Sequence, residues 1–319
     1  MFYPIDRPPL EEDKLIIVGG APRSGTTLVQ NMLAAHPSVL GGPEALHLHD
    51  ILEVRKRMLA SLARGWLDFY CDKQTIDTCF RWTVMELLAP VKGMQGRRYI
   101  SEKTPENVLA FADLAELLPK ARFVHVVRDP RAVVNSLLNV GRRARKKRLK
   151  PAPHAASLRG AIAHTHKCVA AGFAAAAKTP QRIHTLVYEE LVRAPERESR
   201  ALCAFLGMEW SEQMIRPSAH RFAGEWALTV GSGEVWYTPE EYRRDPETRS
   251  AETWRKELTR LQQAAITRAF GDMSEYERLG YVLEASAGAR LVHGVTNFLV
   301  SLPHQIRHRA TSALRSVRS

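Results

Sequence analysis

Three short apolar runs stand out from the polar background of the chain: "KLIIVGG" (14–20), "ARFVHVVRD" (121–129) and "RIHTLVYEEL" (182–191). Each is strand length and adjoins a helical pattern, and that alternation predicts an α/β fold, a parallel sheet flanked by helices on both faces. The crossover between the first two runs is long, with helical periodicity from Thr27 to about Ala35, from about Leu52 to Trp66 and from Glu106 to Leu118. Strands that are neighbours in sequence therefore need not pair. After the third run, "APERESRALCAFLGMEW" repeats Leu202, Phe205 and Leu206 at helix spacing and meets a terminator at Gly207. Residues 211–250 are rich in Pro, Gly and aromatics with little period, which reads as loops and short helices covering the sheet, and 252–281 returns to a helical pattern. A single domain over 1–288 is expected, followed by a basic amphipathic tail over 289–319.

With 319 residues and 45% hydrophobic content the chain can bury a sizeable core, and its formal net charge of +12 favours anionic partners. Charge alone does not choose among nucleotides, nucleic acid, acidic substrates and anionic lipid. The basic run "RRARKKRLK" (142–150) reads as a solvated, mobile face. Cys71, Cys79, Cys168 and Cys203 are scattered without C-x-x-C spacing and form no zinc pattern with the histidines, so free thiols are expected. The acidic, proline-bearing start does not read as a secretory signal, and no run reaches the roughly 18 apolar residues of a spanning helix. A cytoplasmic location is the expectation. The tail reads as a terminal helix packed on the body, with peripheral contact to an anionic membrane as the sharper alternative; a homodimer is a further candidate assembly.

The chemistry concentrates in "LIIVGGAPRSGTTLVQNML" (15–33). Counted from Gly20, the spacing G-x-x-x-x-G of a phosphate-binding loop is present, but Thr26 stands where such loops carry lysine. A strand-to-helix loop still offers unpaired backbone N–H groups and the positive end of the helix dipole to an anion. Gly25 permits close approach, Ser24, Thr26 and Thr27 supply hydroxyls, and Arg23 adds a fixed charge. Without the lysine, and with no convincing magnesium-binding acid, the expected ligand is a nucleotide whose chemistry needs no metal. A second anion site is expected in "VHVVRDPRAVVNSLL", where Arg128 ends the second run and Ser136 follows on the next helix. Read alone, Arg128 and Asp129 also fit a helix-start ion pair.

Taken together, "APRSGTTLVQNMLAAHPSV", "EKTPENVL", "VRDPRAVVNSL" and "YEELVRAPERESRALCAFLG" resemble the sulfotransferases that use 3′-phosphoadenosine 5′-phosphosulfate (PAPS), nearest to the tyrosylprotein sulfotransferase-like branch. The resemblance runs from about Leu15 to Leu206 and fades after Trp210. It implies a P-loop-like α/β fold with Arg23, Ser24, Gly25, Thr26 and Thr27 at the 5′ phosphosulfate and Arg128 and Ser136 at the 3′-phosphate. Tyr188 matches a tyrosine near the cofactor, and equally fits a core aromatic at a strand end. Glu44, in "GGPEALHLH", matches the catalytic base, with His47 and His49 in reserve, and Lys103 matches the lysine that contacts the transferring group.

Two departures stand out. Leu46 occupies the position two after the base where the tyrosylprotein branch carries arginine, and the late serine–lysine–tryptophan segment of the family is here "SAETWRK", with Thr253 before Trp254 and Arg255 or Lys256 as substitutes. The expected function is metal-free, in-line sulfuryl transfer from PAPS to an acceptor hydroxyl on a peptide tyrosine, a sugar, a lipid or a natural product, with an acidic acceptor suited to the basic chain. The alternatives are a P-loop kinase, disfavoured by Thr26, and a non-catalytic nucleotide- or nucleic-acid-binding module; no specific nucleic acid is expected, since no such motif accompanies the basic run.

Overall fold

The computed structural model describes residues 10–90, 94–219, 233–237, 244–248 and 251–283. Five strands, β1 (Leu15–Gly20), β2 (Val39–Gly41), β3 (Tyr99–Lys103), β4 (Arg122–Val127) and β5 (Ile183–Val187), form one sheet in the order β2-β3-β1-β4-β5. Every pairing is parallel. The three apolar runs are β1, β4 and β5, and they do lie side by side. The two remaining strands add to the other edge of β1: β2 has three residues, and β3 is the polar string "YISEK".

The strands read as continuous apolar runs because both faces are covered. Ile16 and Val18 of β1 and Val124 and Val126 of β4 face a core shared with Val29, Met32 and Leu33 of α1 (Thr26–Ala35) and Leu202, Cys203 and Leu206 of α8 (Pro195–Leu206). The alternate residues face the other way. A Cβ on Gly19 would lie 2.9 Å from the Phe111 ring, and His125 is packed between Phe111 and Phe173, the latter on α6 (Leu158–Lys178). Gly172 lets α6 approach that imidazole, since a Cβ there would lie 2.2 Å from His125 Nε2. Burial holds His125 neutral, its pKa pushed down to about 3.

α2 (Leu48–Leu62) starts four residues before the predicted point, and α3 (Lys73–Leu88), capped by Asp72 accepting from Thr75 N at 2.7 Å, was not anticipated. The helix predicted over Glu106–Leu118 divides into a 3₁₀ turn, Pro105–Ala110, and α4 (Phe111–Leu117). The pattern over 252–281 likewise breaks into Trp254–Glu257, Arg260–Phe270 and Ser274–Arg278. The chain divides into two compact units, Met1–Glu257 and Leu258–Ser319. All four cysteines are free thiols. Among the described residues no helix is long and apolar enough to cross a membrane. The tail expected over 289–319, with its boundary and its membrane contact, lies outside the described residues.

Candidate functional site

The loop that follows β1 turns on two left-handed residues, Arg23 (φ 77°) and Gly25 (φ 103°). Such a conformation costs a non-glycine residue about 1–2 kcal/mol, and at Arg23 side-chain bonds offset it. Its Nε donates to Ser136 Oγ at 2.9 Å, its Nη1 donates to Trp236 O at 2.7 Å, and the guanidinium lies 4.0 Å over the Tyr237 ring. Gly25 is required for a second reason, because a Cβ there would lie 2.3 Å from Tyr188 Cδ2. Tyr188 therefore presses on the loop backbone; it opens α7 (Tyr188–Arg193) rather than closing a strand. Thr27 Oγ1 donates to Tyr237 Oη at 3.0 Å. Ser24 and Thr26 are buried, and Ser24 Oγ and Thr26 Oγ1 have no hydrogen-bond partner. Two buried hydroxyls at a helix start, each costing about 1–3 kcal/mol if unsatisfied, suit an acceptor-rich anion.

The second element follows β4. Arg128 Nη1 donates to Arg23 O at 3.2 Å, and the guanidinium stacks 4.2 Å over Tyr188, so one aromatic ring touches both loops. The sequence alternative of an Arg128–Asp129 pair gives way to a different pairing. Asp129 caps α5 (Pro130–Lys146), accepting from Arg131 N at 2.8 Å and from the Arg131 guanidinium. Ser136 lies on α5 facing Arg23. The helix also carries the first part of the basic run, and there one arginine departs from the solvated reading: Arg142 and residues 145–150 are exposed, while Arg143 Nε donates to Val235 O at 2.8 Å and Nη2 to Trp236 O at 3.0 Å. A cavity of about 260 Å³ lies between these elements, with Arg23, Arg128, Arg143 and Arg244 in its wall against, among the described residues, one acid, Glu257. Glu257 accepts from Asn135 and Asn139, each at 2.8 Å, and these bonds hold its carboxyl below the ordinary range. Thr253 also reaches the wall, whereas Arg255 pairs with Glu252 at 3.3 Å.

Glu44 and Lys103 meet at the adjoining strand end. Lys103 closes β3 opposite Val18 of β1, so it shares the carboxyl edge from which the phosphate-type loop leaves. Its Nζ donates to Glu44 Oε1; the lysine side chain is 5% exposed and the glutamate 39%. Gln30 of α1 ties the Glu44 segment to the sheet, its Nε2 donating to Gly42 O and Ser101 O at 3.0 Å. Neither Glu44 nor Lys103 lines the arginine-walled cavity. His47 is exposed beside Asp50, and Leu46 is exposed next to Glu44.

Glu102 was not anticipated as a site residue, although it opens the quoted "EKTPENVL". Fully enclosed, its carboxylate accepts from Ala45 N at 2.9 Å, Thr104 Oγ1 at 2.6 Å and Asn107 Nδ2. It thereby fastens the Glu44 segment to the turn after Lys103. Burial pushes its pKa up to about 7 against those three donors and the neighbouring Lys103.

A parallel sheet with two arginine-bearing elements at adjacent strand ends and a cation–carboxylate pair beside them defines an α/β protein of P-loop-like build. The chain belongs to the sulfotransferase family, whose model matches residues 16–212. Among curated relatives it is similar to protein-tyrosine sulfotransferase 1 of Danio rerio, 28% identical over 204 residues that cover 63% of this chain and 55% of that one. Protein-tyrosine sulfotransferase 2 of Gallus gallus is 29% identical over 211 residues, covering 64% and 54%. The chain thus spans about half the length of the curated relatives it matches. Its fold is similar to a sulfotransferase domain from the curacin biosynthetic pathway, with TM-score 0.53 and 19% identity over 84% of this chain and 99% of that one. A mouse sulfotransferase, SULT7A1, complexed with PAP, aligns with TM-score 0.51 and 13% identity over 89% and 92%.

Proposed function

We propose that this protein transfers a sulfuryl group from PAPS to a hydroxyl. The observation that carries the reading is the convergence of Arg23, Ser136, Arg128 and Tyr188 on one arginine-walled cavity, next to the strand end that holds Lys103 and Glu44. Arg23, Gly25, the hydroxyls of Ser24, Thr26 and Thr27, and the helix start would hold the 5′ phosphosulfate; Arg128 and Ser136 would hold the 3′-phosphate. Bound there, PAPS supplies an activated sulfuryl group. Lys103 is placed to stabilise negative charge on the departing phosphate oxygen, and Glu44, the more exposed partner of the pair, to take the proton of the acceptor hydroxyl. The acceptor hydroxyl then separates a pair that is joined when the site is at rest. No metal is needed for either role.

The names of the relatives support a tyrosine hydroxyl of a protein as acceptor, and the net charge of +12 suits acidic sequence around it. Leu46 places apolar surface beside Glu44 and therefore asks for an apolar neighbour on the acceptor. Melting-temperature titration with adenosine 3′,5′-bisphosphate, beside ATP with magnesium, tests the donor site. Stabilisation by the bisphosphate that is lost in Arg128→Ala supports it; stabilisation by ATP and magnesium alone overturns it. Labelled PAPS with tyrosine peptides, sugars and phenols then identifies the acceptor.

A further inference from the structure

One cluster outside this machinery joins three separate parts of the chain. Glu106 sits in the 3₁₀ turn three residues after Lys103, His154 in the 3₁₀ turn Pro153–Ala155, and His164 on α6. One donor atom from each lies within 4.8 Å of the others. The two imidazoles stack 4.4 Å apart, and His164 Nε2 lies 3.6 Å from Glu106 Oε1. His154 Nε2 is buried and has no hydrogen-bond partner. One helical turn beyond His164, Cys168 Sγ comes within 3.6 Å of the same Nε2.

We propose that Glu106, His154 and His164 form a binding site for one transition-metal ion of the zinc class. Two imidazoles and a carboxylate are a common zinc donor set, and the adjacent sulfur favours a borderline-soft ion over magnesium or calcium. Metal–ligand bonds of about 2.0–2.2 Å bring donors to within roughly 4.2 Å of each other, so rotamer adjustment of one stacked imidazole closes the set. The alternative, a plain Glu106–His164 ion pair, leaves His154 Nε2 without a role.

The position gives the ion a structural purpose. It would clamp the turn that follows Lys103 to α6, and to the turn whose His154 ring rests 5.6 Å from Trp236, the residue whose carbonyl binds Arg23 and Arg143. The ion lies outside the transfer chemistry and leaves the roles of Glu44 and Lys103 as they are.

Tag-free protein stripped with a chelator and titrated with Zn²⁺ and Co²⁺, by calorimetry and absorbance, tests the site. One equivalent is expected to bind, with a cobalt spectrum of low coordination number and a rise in melting temperature. His154→Ala and His164→Ala are each expected to weaken binding by at least the roughly 10–100-fold that loss of an outer-shell partner costs, while His166→Ala on the same helix leaves it unchanged. Should His164→Ala fail to fold, the His154→Ala comparison, made on a surface turn, stands alone. Absence of stoichiometric binding, or binding unaffected by loss of His154, overturns the proposal.

Discussion

Arg23 Nε donates to Ser136 Oγ over 2.9 Å, joining residues 113 positions apart and closing the loop after β1 and the helix after β4 around one cavity. The two side chains act as a unit, so their substitutions should not add. Hydrogen bonds to charged groups contribute about 1.5–3 kcal/mol; Arg23→Ala is accordingly expected to weaken adenosine 3′,5′-bisphosphate by about 10–100-fold, and Ser136→Ala by less. In calorimetry the double variant should bind more tightly than the sum of the single losses, with a coupling of at least about 0.5 kcal/mol. Strict additivity would show that the contact has no part in ligand binding.

Glu44→Gln and Lys103→Ala remove the two halves of the strand-end pair. Each is expected to reduce kcat for sulfuryl transfer by about 10²–10⁴-fold; bisphosphate affinity stays at the wild-type value in Glu44→Gln and falls in Lys103→Ala, whose ammonium faces the 5′-phosphate oxygen that the transfer releases. Steady-state kinetics with labelled PAPS, run beside calorimetry, reads both. A Glu44→Gln enzyme with unchanged kcat would move the base to another residue, with His47 and His49 next in line.

Glu102 makes stability depend on pH. Its folded pKa of about 7 lies above the ordinary 4.5, so the folded state holds the proton more tightly than the unfolded state. Its contribution is complete below about pH 4.5 and is lost as pH rises through 7, in total about 3 kcal/mol at 1.36 kcal/mol per unit. Glu102→Gln, with the Asn107 amide turned to offer its oxygen, should remove that slope in denaturant melts. Glu102→Ala should in addition release Ala45 N and lower kcat, since it frees the Glu44 segment.

His125 acts with the opposite sign. Its folded pKa of about 3 lies below 6.5, so the unfolded state binds the extra proton, and stability is lost as pH falls from 6.5 towards 3. Between about pH 4.5 and 6.5 the Glu102 and His125 contributions oppose each other. His125→Phe should keep the contacts with Phe111 and Phe173 and flatten the acid limb, at the cost of crowding Gly172. An acid limb unchanged from wild type would mean that His125 is not the group responsible.

Gly25→Ala should abolish bisphosphate binding and destabilise the fold by more than about 1 kcal/mol, because its φ of 103° and the Tyr188 ring leave no place for a methyl group. Melting curves with and without ligand check both halves. Normal ligand binding by this variant would contradict the close packing of Tyr188 on the loop.

The elements legible in the sequence are those whose burial is apolar. β1, β4 and β5 show as hydrophobic runs, and the loop at Arg23–Thr27 shows through its glycines and hydroxyls. β3 was hidden for the reason that makes it important: all five of its residues are buried, yet Ser101, Glu102 and Lys103 are polar, and Lys103 and Glu102 each take a partner, Glu44 and Ala45, from a segment far away in sequence, with Thr104 and Asn107 completing the Glu102 set. Arg143 was hidden in a charge run whose first part belongs to α5, and only the fold shows which of its arginines turns towards Trp236. The donors Glu106, His154 and His164 share no short spacing, so the cluster exists only after the sheet brings its three segments together.

The wall segment at 235–236 is held by its main chain: Arg143 binds the carbonyls of Val235 and Trp236, and Arg23 also binds that of Trp236. A carbonyl is present whatever side chain it belongs to. Other side chains can stand there without loosening either arginine, provided they keep the apolar packing of Val235 on Val140, Ala144 and Ala155 and the chain returns to the same place. Recognisable sequence can therefore stop at 212 while the enclosure of the cavity continues beyond it.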